Sequence, residues 1–532
     1  MKRYKSRMIW GLLLALPLMV TSLGCKKFLD RKPLTQSFSD ITQGGLEGRV
    51  FGMYNVLRNY AGFSSLPWID FHSIRDDDAL KGSDANDGAE IITEFETFQY
   101  TKDDWATNTY WNDHFYMINE ANFVIDSFKK ISNPDAATIR NAGEACFFAA
   151  YSYFELVKAY GEVPLFNFNI TTPQQGIKDK SPIPLIYQFI DSCLQAAAAS
   201  LPLTTSEYGP GFAGRLTRGA ANTLWAQTYL FRQDWARVVA LCNEVIASNQ
   251  YRLLDEFSEI WIDGVNGAGK NSAESIWETQ CYVGENAQSN SALYQGNFWG
   301  TSQQVRQNGA PIEWNLGWGW NVPSQKLEDD FPDTDPRKRK TILYSGESDG
   351  GPAQGGHGAT LPMYTNPDGQ GGLAQPYWSK KMYTGNSPAM RQWTGYTNNN
   401  GGDAGWINHR ILRYADVILM LAEAANELND GATAEANLEL IRNRASGNLG
   451  PARTVVPFVP FVSKTQMRQA IKNERRWEFA MEGYRFYDLV RWGDAVTELG
   501  PLGYTNRCRF YPIPQQAINL SGGVLTQNPE WP

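Results

Sequence analysis

Histidine and cysteine are scarce in this chain, four of the first and six of the second among 532 residues. His72, His114, His357 and His409 are unclustered in sequence, which favours structural roles over catalytic ones. Cys146, Cys193, Cys242, Cys281 and Cys508 are widely scattered, with no spacing of a zinc site or redox pair. The first three fall in helical patterns and read as small buried hydrophobes, with one disulfide left open. No Gly-x-Ser-x-Gly elbow, His-Glu-x-x-His pair or phosphate loop occurs, so no familiar catalytic motif is present. An excess of positive charge is missing too. With 48 basic and 56 acidic side chains the net charge is −8, which does not favour nucleic acid. Beyond the N-terminus, no apolar run is long enough for a membrane helix.

The N-terminus reads as a targeting segment. Lys2, Arg3, Lys5 and Arg7 precede the apolar run from Ile9 to Val20, which is too short for a stable span. Ser22-Leu23-Gly24-Cys25 then resembles a bacterial lipobox, although Leu stands two residues before the cysteine instead of three. Residues 1–24 are therefore expected to be a lipoprotein signal peptide. Cys25 becomes the lipidated first residue, with several acyl chains giving firm anchoring. A plain secretory signal with a chance cysteine is the alternative.

What the chain has in plenty is glycine and aromatics, with 48 Gly, 18 Trp, 25 Tyr and 26 Phe. Residues 25–40 read as a tether. Helical periodicity then marks Gly44 to Tyr60, Tyr110 to Lys130, Ala136 to Tyr160 and Ile183 to Ser200. Arg218 to Phe231 with Trp235 to Ser248 forms a helical hairpin of tetratricopeptide character. A second hairpin joins the stripe Tyr414, Ile418, Leu421, Ala425 and Leu428 to a return helix from Thr433 to Arg444, through Asn429-Asp430-Gly431. Such hairpins bury their faces only by stacking on neighbours, so the solenoid must be discontinuous in sequence. Three parts follow: a helical one over 41–251, an irregular Trp/Gly-rich insert over 252–406 and a second helical one over 407–532. The expected fold is mainly α, a tetratricopeptide-like helical-hairpin scaffold carrying a long irregular loop insert.

The run Asn473 to Gly493 mixes arginines, glutamates and large aromatics. Met467, Ala470, Ile471, Trp477 and Met481 recur at helical spacing as a buried stripe, and Glu474 falls on it. A buried carboxylate must be paired. Arg475, Arg476, Arg485 and Arg491 lie close by, so the segment reads as a charge-locked structural clasp hinged at Gly483. A solvated amphipathic helix is the bland alternative.

This run resembles the C-terminal signature of the SusD/RagB family of outer-membrane nutrient-binding lipoproteins. Similar matches are Gly317 to Pro323 with Phe331 and Asp335-Pro336-Arg337, Arg413 to Val417, Ile441 to Ala445, Tyr511 to Pro514, and Gln527 to Trp531. The resemblance implies a surface lipoprotein of the outer membrane that binds a nutrient without turning it over. The nutrient is typically a glycan, delivered to a SusC-like TonB-dependent transporter.

Aromatic faces with amide and carboxylate neighbours suit sugar binding, because pyranose C–H faces stack on rings and hydroxyls seek polar groups. Within the insert, Tyr294, Trp299, Trp314, Trp393 and Tyr396 are the candidates. Trp318 and Trp320 sit in the family-like stretch and read as scaffold. The resemblance adds a loop of the N-terminal half to the same face, making Asp76, Asp77 and Asn86 candidate hydroxyl ligands. No resident cofactor is expected. Calcium is an alternative use of the acidic loop Ser73 to Asp87, although Gly88 is misplaced and no Glu stands twelve positions from Asp84, unlike an EF-hand. Two other classes remain open: a surface glycoside hydrolase, and a helical-repeat lipoprotein that binds peptides or assembly partners.

Overall fold

The computed structural model describes residues 45–58, 62–83, 86–262, 269–283, 294–295, 298–306, 314, 316–363, 376–385 and 406–531. Cys25, the leader and the tether lie outside these.

Helix α1 (Glu47–Arg58) packs on α2 (Trp105–Phe128), which pairs with α3 (Ala136–Tyr160). Asp104 and Asp135 start these two helices by accepting backbone N–H groups of the first turn. Gly161, with φ +76°, stops α3. Next come α4 (Ile183–Ser200), α5 (Arg218–Phe231) and α6 (Trp235–Ala247). Thr217 caps α5 and Asp234 caps α6. The late hairpin is α7 (Tyr414–Glu427) and α8 (Gly431–Ala445), with Asp430 as cap. Each helix from α2 to α8 packs on the next, so α6 meets α7 across the intervening insert. The scaffold is continuous in space and interrupted in sequence. Helices α9 (Lys464–Glu478) and α10 (Arg485–Trp492) close it, with α9 packed on both α7 and α8.

The insert folds as short strands and single helical turns. Strand β1 (Ala79–Gly82) belongs to the N-terminal part. The insert contributes β2 (Ser275–Glu278), β3 (Tyr282–Val283), β4 (Tyr294–Gln295), β5 (Trp320–Pro323), β6 (Ile342–Tyr344) and β7 (Tyr377–Ser379). Strand β8 (Arg410–Arg413) leads into α7. All pairings are antiparallel and two-stranded: β1 with β5, β2 with β8, β3 with β4 and β6 with β7. Two of them fix the insert to the scaffold. Ala79 opposite Pro323 and Gly82 opposite Trp320 tie it to the N-terminal loops. Ser275 opposite Arg413 ties it to the start of α7.

Glu474 is fully buried, and its partners are Arg337 at 2.6 Å and Arg442 at 2.7 Å. These come from the insert and from α8, not from the four arginines beside it in sequence. Glu478, one turn on, meets Arg337, Arg413 and Arg444 at 2.5–2.9 Å. Glu274 joins Arg413 and Arg444, Asp335 joins Arg337, and Glu482 joins Arg413 and Lys381. Five carboxylates thus face five cations, so no net charge is buried, the condition under which such a network is tolerated. Burial pushes the Glu478 carboxyl up, but the three arginines outweigh it and hold it well below the usual range.

The four neighbouring arginines reach other elements. Arg475 joins Asp416 and Asp488, while Arg491 joins Glu423 and Asp488. Arg476 joins Asp78 and Asp330, and Arg485 joins Asp77. The segment therefore binds the insert, α7, α8 and the loop before β1 to one another.

Candidate functional site

The β1–β5 pairing sets the geometry of one loop-built face. Leaving β1, the chain passes Ser83 and turns through Asn86, Asp87 and Gly88. Gly88 has φ +72°, and a Cβ there would lie 2.9 Å from the Trp320 ring, so only glycine lets this turn close over the indole. Trp320 is buried and its Nε1 donates to Asp87 Oδ2 at 3.3 Å. Ser83 Oγ donates to the same oxygen at 2.9 Å, and Arg306 Nη1 does so at 2.5 Å. Lys81 Nζ donates to the Asp87 carbonyl and lies 5.6 Å from the Trp320 ring centroid. Burial pushes the Asp87 carboxyl up, but Ser83, Trp320 and Arg306 outweigh it and hold it below the usual carboxylate range.

Beside this ion pair stand Phe298 and Trp318, both half-buried, with ring centroids 4.6 Å apart. Trp318 also meets Trp320 edge-on at 5.9 Å. Asp87 and Arg306 keep 39 % and 24 % of their side-chain surface in solvent, and Asn86 is exposed. The result is an aromatic surface with an anion, a cation and an amide along it, the anion and the cation held to each other before any ligand arrives. Such a surface can stack an apolar ring face and hydrogen-bond hydroxyls.

The other sequence candidates go elsewhere. Trp299 is 3 % exposed and stacks on His409 at 4.2 Å. Trp314 is 6 % exposed, in a cluster with Val305, Leu343 and Trp378. Both bury their rings in packing, because the strand pairings fold the insert onto the scaffold. Asp76 and Asp77 are buried as well. Asp76 Oδ1 accepts the backbone N–H groups of Asp78 and Ala79, and Asp77 is gripped by Arg485 at 2.8 Å. These two carboxylates are committed to protein partners, in place of the hydroxyl-ligand role expected of them. Tyr294 lies in β4 through its backbone. Trp393, Tyr396 and Asp84 lie outside the described residues. Among the candidates whose side chains the structure describes, Asn86 alone stands on the face.

Nothing in the sequence singles out Trp318, Phe298, Arg306 or Asp87 as ligand residues. Trp318 reads as scaffold because its stretch is family-like, yet the alternation along Trp318-Gly319-Trp320 puts one indole in the core and leaves the other half-exposed. Among the described residues, no group of three or more metal-ligating side chains converges, and no helix is long and apolar enough to cross a membrane.

Fold and face together define a helical-hairpin scaffold protein with a loop-built aromatic surface. Two family models match it, one described as the SusD family over residues 273–507, the other as starch-binding, associating with the outer membrane, over residues 59–230. A SusD-like protein of Formosa agariphila is 24% identical, with 96% of each chain covered. A laminarin-binding SusD-like protein of known structure is 26% identical, with TM-score 0.70 over 91% of this chain and 98% of its own. The surface glycan-binding protein A of Bacteroides fluxus, 22% identical, superposes with TM-score 0.71 over 92% and 99%. The chain belongs to the SusD-like family.

Proposed function

We propose that the protein captures a glycan on the Trp318 face and delivers it to a SusC-like TonB-dependent transporter, held at the outer membrane by lipid on Cys25. The observation that carries this reading is the half-buried Phe298–Trp318 pair beside the fixed Asp87–Arg306 ion pair. Stacking there needs no catalytic group, and preset polar partners lower the ordering needed on binding. The likeness to a laminarin-binding relative makes laminarin the first glycan to test.

The hydrolase alternative is less well supported. Glycoside hydrolysis needs a protonated carboxyl as acid, whereas Asp87 is held ionised. Affinity gels containing laminarin and other polysaccharides, followed by a reducing-end assay, separate the two readings. Retarded migration without new reducing ends is expected. Release of reducing ends, or no retardation on any gel of a broad panel, would defeat the glycan-capture reading.

A further inference from the structure

Asp87 uses its two carboxylate oxygens unequally. Oδ2 accepts three hydrogen bonds, from Ser83 Oγ, Trp320 Nε1 and Arg306 Nη1. Oδ1 accepts none among the described residues and is open to solvent, in a side chain that keeps 39 % of its surface exposed. A carboxylate oxygen has two lone-pair sites, so Oδ1 offers two acceptor positions, and the three donors on Oδ2 fix where they point. Burial works against ionisation and those donors outweigh it, so the open oxygen carries charge.

The cations around it are engaged. Arg306 donates to Asp87 and to Ser83 Oγ through Nη1 and has further contacts, while Lys81 is buried with Nζ on the Asp87 carbonyl. Trp320 joins this group to the aromatic surface. Its Nε1 lies 3.3 Å from Oδ2 and its ring centroid 5.9 Å from that of Trp318. A ring stacked on Trp318 therefore lies beside an oriented, anionic acceptor. Such an oxygen takes a donor, and a sugar hydroxyl fits, with a hydrogen bond roughly twice as strong as one between neutral groups. A carboxylate or sulfate has no proton to give at neutral pH and meets like charge, too close for salt to screen. An ammonium group would pair with it, but Arg306 already offsets the charge.

We infer that Asp87 sets the charge selectivity of this face: it admits a neutral glycan, whose hydroxyl donates to Oδ1, and turns away glycans that carry uronate or sulfate groups. The inference rests on the Trp318 face being the glycan site and adds to that reading the class of glycan it takes.

The test runs affinity gels with laminarin, amylopectin, xylan and galactomannan as neutral probes, polygalacturonate and carrageenan as anionic ones, and chitosan as a cationic one. The best-retained neutral glycan is then compared with its own chemically sulfated form. Asp87→Asn keeps the size and one oxygen for the three donors, and places an amide NH₂ where Oδ1 stood. The wild type is expected to retain at least one neutral glycan and to bind its sulfated form at least tenfold more weakly. Asp87→Asn should bind the neutral glycan at least tenfold more weakly than the wild type, as loss of a hydrogen bond to a charged group implies. Should Asp87→Asn fail to fold, the sulfated pair on the wild type still decides. Equal retention of the two forms, stronger retention of polygalacturonate, carrageenan or chitosan than of every neutral glycan, or wild-type affinity in Asp87→Asn would overturn the inference. A glycan that Trp318→Ala releases and Asp87→Asn holds as the wild type does defeats this inference alone and leaves the capture reading standing. A glycan that both variants hold as the wild type does defeats both.

Discussion

His114 shows how much a single side chain contributes. It is fully buried, packs 4.1 Å from the Phe63 ring, and neither ring nitrogen meets a hydrogen-bonding group. Burial drives its pKa down to about 3, with Glu155 opposing and His72 and Lys158 adding to the fall. In the unfolded chain it titrates near 6.5. Between those values the unfolded state binds a proton that the folded state refuses, so stability falls as pH drops below 6.5. His114→Phe removes His114's share of that slope and leaves those of His72 and His409, which burial also holds below the ordinary value. Urea unfolding of the two proteins should show the wild type losing about 2 kcal/mol relative to the variant between pH 7 and pH 5, at about 1.4 kcal/mol per unit below 6.5. Parallel pH curves would contradict this. That the four histidines are unclustered in sequence favours a structural role for His114, and its full burial fits that reading. The sequence misjudges Trp299, because burial of a tryptophan in an aperiodic segment depends on strand pairings that leave no local pattern. Trp299→Ala is accordingly expected to cost about 3–5 kcal/mol in chemical unfolding and to leave glycan affinity of the folded protein unchanged.

At the scale of elements, the helices were legible and the strands were not. Helices α3, α4 and α5 begin and end where periodicity, caps and Gly161 place them, because those signals are local. The two- to four-residue strands carry no period long enough to read, and β1 finds β5 some 240 residues away in the insert. The clasp divides in the same way. That Glu474 must be paired follows from its place on an apolar stripe. That its partners are Arg337 and Arg442 does not, since one lies 137 residues off. Gly483, with φ +75°, turns the chain from α9 toward α10 beside Trp68. Arg337→Leu would leave Asp335, Glu474 and Glu478 without a shared cation. A loss of about 3–5 kcal/mol in chemical denaturation is expected. A change under 1 kcal/mol would mean that the network is not what locks the insert to α9.

For the whole molecule, the proposed function separates holding from recognising. The helical solenoid and the buried ion network join N-terminal loops, insert and C-terminal helices, and the aromatic face is built where the first two meet. Residues that identify the family are mostly in the network, so they reveal the scaffold more readily than the ligand. The face was partly legible, through Asn86 and the expectation that both loops share it. Its aromatics were not, because Trp318 and Trp320 look equivalent until the fold buries one. Membrane attachment belongs to this scale too. Cys25→Ala is expected to abolish lipid labelling and move the protein to the soluble fraction, and an unchanged membrane fraction would refute the anchor. The most direct test of the central claim is the affinity of Trp318→Ala for the glycan that a glycan array selects, laminarin first. Loss of one aromatic stacking partner should weaken binding at least tenfold with folding intact. Wild-type affinity in that variant would show that the ligand is held elsewhere.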